Sequence, residues 1–134
     1  VVAKGEPTAT GTKPGPGIVG TTIDVTLGDK GGKLFLRPAH DTVASGTVTF
    51  AVTNAGTMPH EFIVLRTDTP ANKLPSGDGG QAKETGRVGE VSQMAPGSAT
   101  QYLTFATLKA GKYVLLCNVP GHYSLGQYAA FTVT

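Results

Sequence analysis

The sequence predicts an all-β protein folded as a Greek-key sandwich of about eight short strands, and three observations carry that prediction. Apolar and polar residues alternate with period two in several short runs, the signature of strands with one face turned to a core. Turn-forming residues separate those runs, in a chain that holds 19 Gly and 9 Pro among 134 residues. Length and composition fit one core: 15% charged and 39% hydrophobic residues indicate a turn-rich globular domain rather than a disordered or coiled-coil chain.

Residues 1–20, rich in Gly, Pro and Thr with few large apolar groups, cannot bury enough surface to offset their ordering entropy. They read as a linker or loosely docked tail, the alternative being an arm that adds an edge strand near Ile18 and Val19. The domain proper spans 21–134. Ile23, Val25 and Leu27 alternate with Thr22, Asp24 and Thr26 as a first strand, and Leu34 to Leu36 form a second run before Pro38. After the Ala44-Ser45-Gly46 turn, Val48, Phe50 and Val52 alternate with Thr47, Thr49 and Ala51 as a half-buried strand.

Asn54-Ala55-Gly56 then turns the chain into His60 to Leu65. Successive strand side chains face opposite ways, so His60, Phe62 and Val64 share one face and Glu61, Ile63 and Leu65 the other; His60 begins the inward row. Residues 67–87 show no sustained period, which predicts an irregular loop with at most one helical turn near Gln81 to Glu84. Strands resume over Val88 to Val91 and Ala99 to Phe105 across the Ala95-Pro96-Gly97 turn. The last pair is Lys112 to Cys117 and Tyr128 to Val133.

Charge points to no partner. The formal net charge is +2, from eleven basic and nine acidic residues without a basic run, whereas nucleic-acid binders concentrate Lys and Arg on one face. No apolar run of about 18 residues exists to span a membrane, and the N-terminus lacks the apolar core of a signal peptide. Cys117 is the single cysteine, so no internal disulfide can form, and metal ligation gives an odd cysteine a role.

The chemistry gathers near the C-terminus. Cys117 ends an apolar strand, and His122 follows across a Pro120-Gly121 turn, on one short loop between two strands. A soft sulfur with an imidazole suits copper or zinc, and one further histidine completes the His2Cys set of a blue-copper electron-transfer site; His60 supplies it. The joint pattern Cys117-x4-His122-x4-Gln127, with Met58-Pro59-His60-Glu61-Phe62 upstream after Asn54-Ala55-Gly56, resembles the cupredoxin family of small blue copper proteins. The loop spacing is similar to that of its rusticyanin- and sulfocyanin-like members. Those members carry Met where this chain has Gln127; stellacyanin-like cupredoxins use glutamine there as the axial ligand.

The resemblance covers roughly 21–134 and implies a cupredoxin-like β-sandwich with one copper ion cycling between Cu(I) and Cu(II). Its ligands would be His60, Cys117 and His122 with axial Gln127. It implies a soluble one-electron carrier rather than an enzyme, working as a monomer in the periplasm, outside the cell or at a membrane surface, with the N-terminal tail as a candidate attachment. Redox partners would dock near His122, on an apolar patch drawn from Met58, Pro59, Val119, Pro120, Tyr123 and Leu125. The alternative from another class is copper storage or delivery, disfavoured because no additional Met or His cluster is present to pass the metal on. A multicopper enzyme needs a second copper cluster that three histidines in all cannot supply.

Other readings stay open residue by residue. Gln127 is either the axial donor, through its amide oxygen, or a polar residue opening the last strand. Met58 competes for the axial place and otherwise walls the site; Met94 reads as packing, and His40 as a solvated turn residue. Glu61 either ties the His60 strand to the cysteine loop, as the family suggests for that position, or is an exposed glutamate.

Overall fold

The structure is a computed structural model, described here over residues 20–134. The expected tail over 1–20, including an edge strand near Ile18 and Val19, lies outside the described residues apart from Gly20. Nine strands form among those residues: β1 (Thr21–Gly28), β2 (Phe35–Pro38), β3 (Thr42–Val43), β4 (Gly46–Asn54), β5 (His60–Arg66), β6 (Arg87–Met94), β7 (Gln101–Leu108), β8 (Gly111–Leu116) and β9 (Tyr128–Val133). They build two sheets, ordered β2-β1-β4-β7 and β3-β9-β8-β5-β6. The chain passes repeatedly from one sheet to the other, giving the Greek-key β-sandwich. Beyond the expected strands stands β3, whose two residues pair in parallel with Thr132 and Val133 of β9 and are too few to show a period.

The alternating rows face each other as the sequence predicts. Ile23, Val25 and Leu27 of β1, with Val48, Phe50 and Val52 of β4, meet Phe62 and Val64 of β5 and Phe131 of β9 in one buried core. Phe50 is its centre. Its ring packs 5.4 Å from those of Phe62 and Phe131 in the opposite sheet and 6.0 Å from Phe105 in its own, all in tilted or edge contacts that suit the ring quadrupoles.

Two expectations need correction. β4 is not half-buried: Thr49 and Ala51, on its outer face, are buried as well, because β4 is flanked by β1 and β7. There Thr49 shares a 3.0 Å hydroxyl contact with Thr104, and Ala51 lies between Asp24 and Tyr102. The 67–87 segment is also not a bare loop. Its helical turn falls at Ala71–Lys73 rather than near 81–84, and Ser76 and Ala82 form an antiparallel bridge. Leu74 and Ala82 from this segment cover Ile63, Leu65, Val114 and Leu116 in a second apolar cluster on the outer face of the larger sheet. Ala82 is held extended because its main-chain N–H donates to the Asn118 side chain at 2.9 Å, while its C=O accepts from the same side chain at 2.9 Å. This strap closes over the strands that carry the site.

Candidate metal centre

The four candidate donors come together at one end of the sandwich. His60 is the first residue of β5, Cys117 follows the last residue of β8, and Gln127 precedes the first residue of β9. The Cys117 N–H donates to the Gln127 carbonyl at 3.0 Å, carrying the β8–β9 ladder one step beyond the Leu116–Tyr128 pair. Inside that closed frame the loop coils on itself: the His122 N–H donates to Val119 O at 2.9 Å and the Gln127 N–H to His122 O at 3.2 Å. Gly121, at φ 86°, and Gly126, at φ 99°, take left-handed backbone that only glycine adopts at little cost.

The result is a triangle of buried donors. His60 Nδ1 lies 3.3 Å from His122 Nδ1 and 3.9 Å from Cys117 Sγ, and Sγ lies 3.5 Å from His122 Nδ1. A point equidistant from three corners so spaced sits about 2 Å from each, the bond length of a first-row metal to imidazole nitrogen. Two imidazoles and one thiolate around one point fit a type 1 copper site.

Each donor is set by its neighbours. The Glu61 N–H donates to Sγ at 3.3 Å, and the Val119 N–H also points at the sulfur. Burial outweighs both and pushes the Cys117 thiol up to about 11, so a bound metal must displace its proton. His60 is fully buried, and its Nε2 lies 2.8 Å from Asp29 Oδ2. Its other ring nitrogen, Nδ1, faces His122 and Cys117. His122 retains 8% of its surface; burial first, then the neighbouring His60, lowers its pKa. Its polar ring contacts among the described residues all fall on Nδ1.

Gln127 is fully buried and its amide has a defined direction. Nε2 donates to the main-chain carbonyls of Gly28 at 3.3 Å and Phe35 at 3.0 Å. Two acceptors on one side assign that side to the NH2 group and leave Oε1 directed at the cluster, 3.1 Å from His122 Nδ1. Met58, the rival, is 37% exposed, and its polar contacts are main-chain ones with Asp29 and Asn54. Met94 packs in the core, and His40 is exposed outside the cluster.

Glu61 is half-buried rather than an exposed glutamate. Its carboxylate accepts from the Asn118 N–H, and burial, followed by the charges of Glu84 and Glu90, raises its pKa. Main chain and side chain of one residue thus tie β5 to the ligand loop. Asn118 extends the tie to the strap: besides Ala82, its side chain donates to Glu84 Oε2 at 2.8 Å, its carbonyl accepts from Gln81 Nε2 at 2.7 Å, and nearby the Gly121 N–H donates to Gly80 O at 2.8 Å. The sequence reading missed two contributions, the strap attachment of Asn118 and the whole role of Asp29. Asn118 carried a signal in its place beside Cys117; Asp29, in a Gly-Asp-Lys-Gly-Gly turn, carried none.

The sulfocyanin (SoxE) domain model matches residues 39–134. The chain belongs to the sulfocyanin family. Auracyanin-A of Chloroflexus aurantiacus is 30% identical to this sulfocyanin-family chain over 122 residues, 78% of the chain and 71% of the relative. The solved structure of auracyanin A, described as a "blue" copper protein from that green thermophilic photosynthetic bacterium, superposes with a TM-score of 0.56 at 25% identity, covering 84% of this chain and 99% of that one. Rusticyanin from Thiobacillus ferrooxidans shares the fold with a TM-score of 0.56 at 20% identity, over 87% and 79% of the two chains.

The strap attachment makes a testable claim. Asn118→Ala leaves the buried N–H and C=O of Ala82 without their partners, which costs about 1–3 kcal/mol. Chemical denaturation is expected to show that loss, and hydrogen exchange to show faster exchange of the Ala82 amide while the amides of β4 stay protected.

Proposed function

We propose that this sulfocyanin-family domain, residues 21–134, is a one-electron carrier. Its copper would be held by His60, Cys117 and His122, with the Gln127 amide oxygen as a fourth donor. The observation that carries the reading is the buried triangle of two Nδ1 atoms and one Sγ with a single amide oxygen aimed at it. When bound, copper supplies the one-electron couple. The chain's own part is to hold four donors still. His60 belongs to a sheet, Cys117 and Gln127 are locked by the hairpin ladder, and the loop bearing His122 is bonded to itself and to the strap. Donors that do not move with oxidation state keep reorganisation small, which fast electron transfer requires.

The route inferred for the electron is His122, the one ligand in the triangle with surface left; the exposed Leu125 belongs to the same loop, its N–H donating to His122 O at 3.2 Å, and the exposed Met58 stands two residues before His60. Tyr123 is withdrawn from that patch: its hydroxyl donates to Ala71 O at 2.6 Å and accepts from the Leu74 N–H at 2.9 Å. Full burial of His60, Cys117 and Gln127 supports retention over delivery, since a metal handed to another protein must be reached by its ligands. No helix among the described residues is long and apolar enough to cross a membrane. An extracytoplasmic place of work, as a monomer meeting redox partners, belongs to the same proposal and rests on the family resemblance.

Titration with Cu(II), followed by absorption, tests the reading. An intense visible Cu(II)–thiolate band is expected at one equivalent, and Cys117→Ser is expected to lose it while keeping the far-ultraviolet circular dichroism of the sandwich. The same band in Cys117→Ser would place the copper elsewhere.

Gln127→Met exchanges an oxygen donor that favours Cu(II) for a thioether. Voltammetry is expected to show a potential raised by about 59 mV or more, a tenfold change in relative affinity for the two oxidation states. Because Gly28 O and Phe35 O lose their donor, stability is expected to fall by about 1–3 kcal/mol. A potential that stays where it was would assign Gln127 to the strand alone.

Leu125→Lys puts a charge on the docking surface without touching a ligand. At high salt, where long-range repulsion is screened, the spectrum and potential are expected to hold. Electron self-exchange is expected to slow severalfold, because an unpaired charge must be desolvated at the interface.

A further inference from the structure

The two imidazoles of the centre are not equivalent, and the residue that makes them differ lies far from the ligand motifs. Asp29 follows the last residue of β1 and is buried. Its Oδ2 lies 2.8 Å from His60 Nε2 and accepts from the Met58 N–H at 3.0 Å and the Thr57 N–H at 2.9 Å; its Oδ1 accepts from Thr57 Oγ1 at 2.7 Å and from the Thr57 N–H at 3.0 Å. A carboxylate that accepts from two main-chain N–H groups and a hydroxyl is favoured in its ionised form, which accepts from a His60 ring proton on Nε2. Among the described residues its one ion-pair partner is the His60 ring. The negative charge is therefore balanced by main-chain dipoles, a hydroxyl and an imidazole rather than by Lys or Arg.

The fold keeps this contact free of other side chains. Gly56 passes so close that a Cβ there would lie 2.3 Å from Asp29 Oδ2 and 3.0 Å from His60 Nε2. The preceding residue, Gly28, presents the carbonyl that takes the Gln127 amide at 3.3 Å. One dipeptide at the end of β1 thus reaches two donors of the centre, although neither of its residues is itself a donor.

We propose that Asp29 is a positioning residue of the metal centre: its carboxylate fixes His60 as the Nε2–H tautomer with Nδ1 free to bind, and its buried charge favours the oxidised metal. The proposal rests on the copper reading for its second half; the tautomer is a property of the polypeptide alone. A carboxylate accepting from the far nitrogen orients an imidazole and makes it a better donor. A buried anion one ring away stabilises Cu(II) more than Cu(I), because the interaction scales with the charge on the metal and is weakly screened there. Asp29 therefore lowers the potential of the site. His122 has no such partner among the described residues, so the ring proposed to pass the electron is the less constrained of the two.

Asp29→Asn separates charge from geometry. Its Oδ1 can still accept from His60 Nε2, and its NH2 group can donate to Thr57 Oγ1, which rotates to accept. With the full chain loaded with copper, Cu(II) affinity is expected to fall about tenfold or more relative to the parent with Cu(I) affinity nearly unchanged. That is a rise in potential of about 59 mV for each tenfold change, with little change in the paramagnetic resonance spectrum. Nitrogen chemical shifts of metal-free parent protein are expected to show His60 protonated at Nε2.

Three results overturn the proposal: a His60 proton on Nδ1 in the metal-free parent, an Asp29→Asn potential equal to the parent's, or an Asp29→Asn potential below it. An equal potential with a lowered unfolding midpoint would make Asp29 a staple for the Thr57 loop and nothing more. Should Asp29→Asn not fold, Gly56→Ala, whose methyl group intrudes on the same contact, is expected to raise the potential as well, and an unshifted value there is equally damaging. A parent that shows no thiolate band with Cu(II) would instead overturn the copper reading, leaving the tautomer measurement to judge Asp29.

Discussion

The register between β5 and β8 is the constraint on which the rest of the molecule depends. Ile63 pairs with Leu116 and Val64 with Leu115, which sets Glu61 against the start of the ligand loop and turns His60 inward on the same face as Phe62. Side chains alternate along a strand, so a slip of one residue would bring Glu61 and Ile63 to the core and His60 to the strap side. Both faces oppose such a slip. The inner row packs against Phe50 and its neighbours, and the outer row packs under Leu74 and Ala82. A strand buried on both faces has no cheap alternative register, and the donor that fixes the centre to the sheet sits on that strand.

Much of this was legible in the sequence, for identifiable reasons. Cys117, His122 and Gln127 belong to one loop, so their spacing alone brings them near one another. His60 was legible because period-two alternation through Phe62 and Val64 tells which way it faces. Asp29 was not, because its contact with His60 is made by tertiary structure: β1 runs parallel to β4, and only that pairing brings the end of β1 beside the Asn54–Gly56 turn, where the Ala55 N–H donates to Leu27 O at 2.8 Å. The strap was not legible either. Leu74 and Ala82 are isolated apolar residues in a polar stretch, and an anchor that works singly leaves no period to read. The helical turn expected near Gln81 was displaced by a side chain, Asn118, that offered the Ala82 main chain both a donor and an acceptor.

The interior of the site shows how local chemistry is decided by main-chain groups. Nothing intrinsic to a glutamine says which end of its amide will face the His60–Cys117–His122 cluster; the carbonyls of Gly28 and Phe35 decide it. A Cβ on Gly28 would meet the Phe35 ring at 2.3 Å, so the pairing of these two residues, Gly28 with Phe35 across β1 and β2, favours glycine as long as the ring keeps its place. The same economy appears at the sulfur. Two N–H groups converge on Cys117, yet burial still dominates its acidity, so the thiol surrenders its proton to a cation rather than to solvent.

The strap has a consequence for anyone who would rebuild the centre by transplantation. The segment from Cys117 to Gln127 looks self-contained, a module that could be lifted onto another sandwich to carry its spectroscopic and redox character along. Its outer surface, however, is finished by residues more than thirty positions upstream through Gln81, Ala82 and Gly80. Moved without them, the module would arrive with exposed amides at Asn118 and Gly121 and a tyrosine hydroxyl at position 123 deprived of its seat. The heritable unit of this metal centre is therefore the pair, loop and strap together.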